Sequence, residues 1–241
     1  MDAALWDVIA RVERRHWWFR ARREILAAVL ARRLAPGAAV LDVGCGTGFV
    51  LERLTESFDA WGVEPDASVR ARAQPGVMAR ILPGSAEDFT ALGDRRFQAV
   101  LLLDVLEHLD DDAAAVRAAA GMLAPGGVVL LTVPAFPALW SSHDDRNDHR
   151  RRYTRKSLRS TLGAAGVSPS LLTHFNARLF PVAMAHRLLY RHRAQASERE
   201  LALPSARTNE LLCRIFAGES RSIERGYPFG LSLVAIASPD S

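Results

Sequence analysis

Glycine stands at alternate positions in Val40-Leu41-Asp42-Val43-Gly44-Cys45-Gly46-Thr47-Gly48, after an apolar run that carries one carboxylate, Asp42. Glycine at such places lets the backbone turn sharply and lets a ligand approach where a Cβ would collide. A helix that follows the turn aims its unpaired N–H groups at that ligand. A second acid, Glu64 in Gly62-Val63-Glu64-Pro65-Asp66, comes about 20 residues after the first glycine, the spacing at which a carboxylate accepts from both ribose hydroxyls. The competing use of such glycines is a dinucleotide, whose fingerprint is G-x-G-x-x-G around a pyrophosphate. The spacing here departs from it, and Asp42 would repel a pyrophosphate but suits a ligand bearing positive charge.

Three further groups carry chemistry. Leu103-Asp104-Val105-Leu106-Glu107-His108-Leu109 holds an acid–histidine pair, and the family resemblance given below implies His108 as a candidate general base with Glu107 setting its tautomer. A sheet-edge histidine is the plain alternative. The polar segment after Pro134 contains Trp140, His143, Asp144, Asp145, Asp148 and His149. It admits His149 or His143 as base, a divalent-metal site, or a loop stitched by His–Asp and Arg–Asp pairs. Its spacing matches no tight ligand pattern, so no metal is assigned. Arg150, Arg151, Arg152 and Tyr153 follow. Guanidinium binds phosphate and carboxylate bidentately, so Arg151 and Tyr153, with Trp140, are candidates for the acceptor side, against the reading of a solvated face. Near the start, His16-Trp17-Trp18-Phe19-Arg20 reads either as rings packed on the domain or as an aromatic lid, with Trp17, Trp18 and Arg20 at a substrate mouth. Three adjacent rings cannot share one helix face, which predicts a turn or lid there.

These groups need elements to hold them. Leu5–Leu34 has the spacing of one or two amphipathic helices. From Ala38 the pattern alternates. Strands are predicted at Ala38–Val43, Trp61–Val63, Met78–Leu82, Phe97–Leu103 and Val128–Val133. Helices are predicted at Phe49–Ser57, Asp66–Ala73 (Asp66 as N-cap) and Asp112–Leu123. Near-continuous apolar strands between helices indicate a parallel sheet covered on both faces. Beyond Pro134, helices are predicted at Thr154–Ala165 and Asn209–Ala217, an apolar–basic stretch at Ala177–Arg193, a polar link at Ala194–Glu200, and a last buried strand at Phe229–Ala237.

The glycine run resembles the D-x-G-x-G-x-G turn of class I S-adenosylmethionine (SAM) methyltransferases, and Asp104–Leu109 is similar to the E-V-L-E-H-V run of ubiquinone-type and related small-molecule O-methyltransferases. The likeness is specific over Ala38–Val133. A looser one spans the chain through H-W-W-F-R-x-R-R, H-D-x-x-x-x-H-x-R-R-Y-T and P-F-G-x-S-L, and is shared with uncharacterised methyltransferases of bacterial biosynthetic clusters. The resemblance implies an α/β fold: a Rossmann-like seven-stranded methyltransferase sheet, mostly parallel with an antiparallel last strand, plus N-terminal helices and a cap inserted after strand five. It implies three regions: a helical lid at 1–37, a SAM-binding core at 38–134, and cap elements with sheet completion at 135–241. SAM would be held by Asp42, Gly44, Cys45, Gly46, Gly48, Glu64 and Pro65, with S-adenosylhomocysteine as product. The adenine would be read in Gly84-Ser85-Ala86-Glu87-Asp88-Phe89, by the Glu87 side chain and backbone around Ala86 and Asp88. Backbone at Leu103 and Asp104 would take the methionine ammonium. The implied reaction is methyl transfer to a small-molecule acceptor, oxygen before nitrogen or carbon, with an anionic or lipid-linked acceptor suited to the arginines.

Bulk properties set the limits. At 241 residues and 49% hydrophobic composition, one α/β domain with additions is expected. No run is long and apolar enough to span a bilayer, and Asp2, Asp7 and Glu13 interrupt any signal-peptide core. Cys45 and Cys213 suggest reduced thiols and a cytoplasmic protein. The net charge of +4 is modest and, with Lys156 the only lysine, is almost all arginine, so no nucleic-acid partner is expected. A peripheral membrane contact through the apolar–basic stretch is a weaker reading. A monomer or homodimer is expected. A nucleic-acid methyltransferase, or a SAM-binding partner protein without turnover, are the alternatives.

Overall fold

Ala39–Val43 (β1) is the strand from which the architecture grows, because its apolar side chains are buried on both faces. The computed structural model of the chain describes residues 3–182, 184 and 202–240. Beside β1 lie Asp59–Val63 (β2), Ile81–Leu82 (β3), Phe97–Leu103 (β4), Leu123–Pro134 (β5), Val167–Phe175 (β6) and Ser232–Pro239 (β7). The sheet order is β3-β2-β1-β4-β5-β7-β6. The first five strands run parallel, and β7 pairs antiparallel with both β5 and β6. Strand order therefore reverses between β1 and β4, the position at which an open α/β sheet leaves a crevice at its carboxyl edge.

Ala3–Val12 (α1) and Trp17–Ala31 (α2) precede the sheet. His16 caps α2 through Nδ1, which accepts from the Trp18 amide at 3.2 Å. The aromatic run is thus helical, not a turn. Trp17 packs edge-on to Phe216 at 6.0 Å, and Trp18 lies against the Arg22 guanidinium at 5.2 Å. Ile25, Leu26, Val29 and Leu30 bury the inner stripe of α2 completely, each contributing about 1.5–3 kcal/mol.

Phe49–Leu54 (α3) leaves the glycine turn; Ala67–Arg70 (α4) is capped by Asp66, which accepts from the Ser68 amide at 2.7 Å. Pro75–Met78 (α5) corrects the expectation of a strand beginning at Met78. Proline at the first position starts a helical turn there, and only Ile81–Leu82 pairs with β2. Asp112–Gly121 (α6) leads into β5, which begins at Leu123 rather than Val128, because Leu123 already pairs with Phe97 across a register shift. Ser142–Arg146 (α7) and Arg155–Ala164 (α8) follow, the second capped by Thr154. No strand was expected at Val167–Phe175. Its pattern is broken by Pro169, where the ladder with β7 shifts register. Ala206–Ala217 (α9) packs on α2, and Asn209 there binds the α2 start, accepting from the Trp17 amide at 2.9 Å. Of the apolar–basic stretch expected at 177–193, only 177–182 and 184 lie among the described residues, and the link at 194–200 lies outside them. Among the described residues no helix is long and apolar enough to cross a membrane.

Candidate active site

Gly44, Gly46 and Gly48 all adopt positive φ, at 69°, 57° and 78°, where a side chain would be strained. They also leave no room: a Cβ on Gly48 would meet Ile81 Cδ1 at 2.8 Å, and one on Gly46 would meet the Trp6 ring at 3.0 Å. The turn is tied to β2 by Gly44 and Cys45 amides donating to the Val63 carbonyl at 2.8 and 3.1 Å. Cys45 turns its sulfur toward β2, where a Cβ on Gly62 would lie 2.6 Å from Sγ. Only its backbone therefore remains for a ligand.

Glu64 reaches across this turn. One oxygen accepts from the Gly46 amide and the other from the Asp66 amide, each at 3.1 Å, and Pro65 lies between. Burial raises its pKa, against these two amide bonds. Asp42 is 2% exposed and its Oδ1 has no partner among the described residues. Burial pushes the Asp42 carboxyl up to about 7, with Arg22 pulling the other way.

Arg22 was missed in the sequence. Its guanidinium is buried, pairs with Asp104 Oδ2 at 2.8 Å and donates to Thr132 Oγ1 at 2.9 Å, while its Nε has no partner among the described residues. Asp104 follows Leu103 at the end of β4 with φ of 58°. A buried cation with a spare donor thus stands near a buried carboxyl group with a spare oxygen. A zwitterion such as the methionine end of SAM offers the complement of both. Together with the bare turn and Glu64, this donor set fits the cofactor. Glu13 was also missed: the Thr47 hydroxyl, inside the glycine turn, donates to its carboxylate, whose two oxygens each lie 2.8 Å from Oγ1. Neither residue carries a motif, since each sits among several arginines or acids and only helix phase picks it out.

In the Gly84–Phe89 segment, Ala86 is buried, whereas Glu87 and Asp88 are exposed. The Asp88 carboxylate is taken by the Thr90 amide and hydroxyl, at 2.9 and 2.6 Å.

The histidines converge on the neighbouring loop. The His108 and His149 rings meet edge to face at 4.8 Å, and His143 lies 6.0 Å from His149. Burial, then the neighbouring His149, lowers the His108 pKa to about 4, so that ring is neutral at pH 7. The expectation that Glu107 sets the His108 tautomer is corrected, since the Glu107 carboxylate has no hydrogen-bond partner among the described residues. Asp144 performs that service for His149 instead, with Oδ1 2.9 Å from Nδ1. Asp144 is fully buried and also accepts from Arg152 Nε at 2.7 Å and the Ser141 amide at 2.8 Å. These bonds hold its carboxyl well below the usual range despite the burial. In this loop, Glu107, His108 and His149 form the one group among the described residues with the geometry to hold a metal ion.

Several acceptor-side expectations are corrected. Arg20 pairs with Glu210 on α9 at 3.2 Å, and Trp17 packs into the α2–α9 contact; it is Arg22 that enters the site. Arg151 donates to the Leu109 and Asp110 carbonyls at 2.9 and 3.1 Å, and Arg150 to the His108 carbonyl at 2.8 Å. Tyr153 is buried and donates to Asp112 Oδ2 at 2.7 Å. These groups stitch the loops after β4 and β5 together, which differs from both the acceptor-side reading and the solvated face that was its alternative. Trp140 is 42% exposed and donates to Asp145 at 2.8 Å.

Comparison with known proteins agrees with this geometry. The family model described as a methyltransferase domain matches residues 14–169. The chain is 38% identical over 120 residues to the ubiquinone biosynthesis O-methyltransferase of Xanthomonas campestris pv. campestris (strain B100), covering 47% of this chain and 50% of that protein. It is 32% identical over 163 residues to the protein of that name from Azorhizobium caulinodans, covering 59% and 64%. The chain spans about half the length of the first of these relatives. Magnesium protoporphyrin IX methyltransferase from Synechocystis PCC 6803, solved with bound SAH, shares the fold with a TM-score of 0.56 at 14% identity, over 92% of this chain and 83% of that one.

Proposed function

We propose that this chain, which belongs to the methyltransferase-domain family and has SAM as its cofactor, methylates a hydroxyl oxygen of a small-molecule acceptor. When bound, SAM supplies a methyl group on a sulfonium, activated for in-line transfer. The observation that carries the reading is the union of a bare, left-handed glycine turn with the Arg22–Asp42 pair of spare polar atoms. In this reading Glu64 holds the ribose, Ala86 and the Glu87–Asp88 backbone border the adenine, and Leu103, Asp104 and Arg22 receive the amino-acid end. Relatives named as O-methyltransferases support oxygen as the target.

The chain's own residues then have three tasks. Methyl transfer depends mainly on alignment and on exclusion of water. We assign the second task to α1 as a lid, because Trp6 lies over Gly46, Asp7 pairs with Arg72 at 2.7 Å, and Glu13 holds Thr47. Alignment falls to the rigid β1 and β4 ends. Activation of the acceptor hydroxyl falls to the His108–His149 pair, with Asp144 orienting His149. The arginines once suited to an anionic acceptor are engaged within the protein, so the acceptor we favour is a neutral hydroxylated compound, such as a phenol. The test is transfer of label from methyl-labelled SAM to a panel of hydroxylated small molecules and producer metabolite fractions. A labelled ether is expected. Labelled nucleic acid instead, or SAM binding with no labelled product at all, would overturn the proposal.

A further inference from the structure

Four rings from three separate parts of the chain meet at the carboxyl edge of the sheet. Phe136 follows β5, His174 stands near the end of β6, Phe180 lies just beyond β6, and Phe229 precedes β7. Phe136 stacks on His174 with ring centres 5.0 Å apart and planes 12° from parallel. Phe180 tilts against Phe136 at 5.8 Å, and Phe229 against Phe180 at 5.4 Å. His174 is buried, Phe136 and Phe180 are partly buried, and Phe229 is 43% exposed. Burial lowers the His174 pKa, so its ring is neutral at pH 7.

Each ring is held in place by its own device. Phe136 keeps φ of 59°, a costly conformation for a bulky side chain that persists only where the surroundings enforce it. Its amide donates to the Tyr153 carbonyl at 2.8 Å, and its carbonyl accepts from the Leu139 amide at 2.9 Å. His174 has Nδ1 3.3 Å from the Tyr227 carbonyl. The turn that carries Phe180 is fixed by Glu219, which is fully buried and accepts from the Ala177 and Arg178 amides, each at 2.8 Å. Phe229 is placed by Gly230, where a Cβ would collide with the Phe175 carbonyl oxygen. Core packing alone would bury these ring faces, whereas here a strained residue, a buried acid and a glycine keep part of them at the surface.

The rings are tied to the histidine pair. Arg152 donates through Nε to Asp144, the partner of His149, and through Nη1 to the carbonyl of Ala135, next to Phe136. β4, β5 and β7 are neighbours in the sheet, so the end of β4 and the start of β7 stand about 10 Å apart, two strand spacings. That is the reach of a two-ring molecule. We propose that Phe136, Phe180 and Phe229 form an acceptor subsite for an aryl group. Resting on the methyl-transfer reading, the acceptor is then a phenol that carries an aryl substituent beyond its reacting ring. Rings tilted at 51° and 36° to one another present faces and edges, the two surfaces against which a further aromatic ring packs best.

The experiment uses the full chain loaded with S-adenosylhomocysteine and titrated with 4-phenylphenol by calorimetry, with phenol as the displacing ligand. SAM affinity and label transfer from SAM are measured on the same proteins. One 4-phenylphenol per chain, bound at least about tenfold more tightly than phenol, is expected. Phe180→Ala and Phe229→Ala should each reduce that preference to about threefold or less and leave SAM affinity unchanged. Leu211→Ala, on α9 and 58% exposed, should leave the preference intact, with all three variants folded by circular dichroism. No stoichiometric binding of 4-phenylphenol, equal affinity for the two phenols, or a preference indifferent to both phenylalanine substitutions would overturn the subsite. A labelled ether formed from SAM in that case leaves the transfer reading standing; failure of the wild type to bind SAM would strike the transfer reading itself.

Discussion

Removing the guanidinium of Arg152 should cost far more than an ordinary arginine truncation. Arg152 and Asp144 are both buried, joined at 2.7 Å, and the Asp144 carboxylate is fully enclosed. Arg152→Met keeps much of the side-chain volume but leaves that carboxylate with Ser141, through its amide and hydroxyl, and with His149. Breaking one side of a buried pair costs about 3–5 kcal/mol, because the remaining charge stays buried. For a chain of this size each kcal/mol shifts Tm by about 2–4 °C, so the expected loss is roughly 6–20 °C. Asp144→Asn leaves Arg152 without its counter-charge, facing only neutral acceptors such as the Ala135 carbonyl at 3.1 Å. The double variant removes both charges together and should be more stable than the two single losses summed, by about 1–3 kcal/mol. Urea unfolding of the four proteins at pH 7 gives the cycle. Additive losses, with coupling below about 0.5 kcal/mol, would show that the two groups are not a buried pair and that Asp144 is not fixed as a partner for His149.

Other expectations follow from single groups. Asp42→Asn should flatten the pH dependence of stability. The native carboxyl, raised to about 7, keeps its proton between about pH 4 and 7 while the unfolded one has lost it, so stability falls as pH rises through that window. Its share between pH 5 and 8 is about 2–3 kcal/mol, measurable as urea midpoints in the two proteins; an equal slope in both would refute the burial argument. Gly48→Ala, at φ of 78° and 2.8 Å from Ile81, should lose at least about 1–2 kcal/mol and weaken SAM binding, both read by calorimetry. His149→Ala should leave the SAM Kd unchanged and cut kcat by about a hundredfold or more; full turnover would remove His149 from the chemistry. Trp6→Ala should speed dissociation of S-adenosylhomocysteine in stopped flow, and an unchanged off-rate would deny α1 its lid role.

Local signals were readable where one residue type has one use. The glycine alternation, the near-continuous apolar runs of β1 and β4, and the Asp66 cap all state their conformation without help from the rest of the chain. Met78 and the Val167–Phe175 strand were misread because Pro75 and Pro169 act through their neighbours: one opens a helical turn, the other sits at a register shift against a strand far along the chain. In the site, the sequence pointed to Glu64 and His149 but not to Arg22 or Glu13. Arginines crowd Arg20–Arg23, and which of them faces the crevice depends on the phase of α2 against the sheet. The partner of His149 was hidden for a similar reason. Glu107 is adjacent to a histidine in sequence, yet Asp144 reaches one only because α7 ends and the chain doubles back, with Asp148 at φ of 54°.

The central claim is that the turn at Gly44–Gly48 and the Glu64 carboxylate bind SAM together. Calorimetric titration of SAM into the wild-type chain and into Glu64→Ala tests it most directly. Saturable one-to-one binding, weakened about tenfold to a hundredfold in the variant as two charge-assisted hydrogen bonds are lost, is the predicted result. Absence of binding by the folded wild type, or equal affinity in the two proteins, would contradict it.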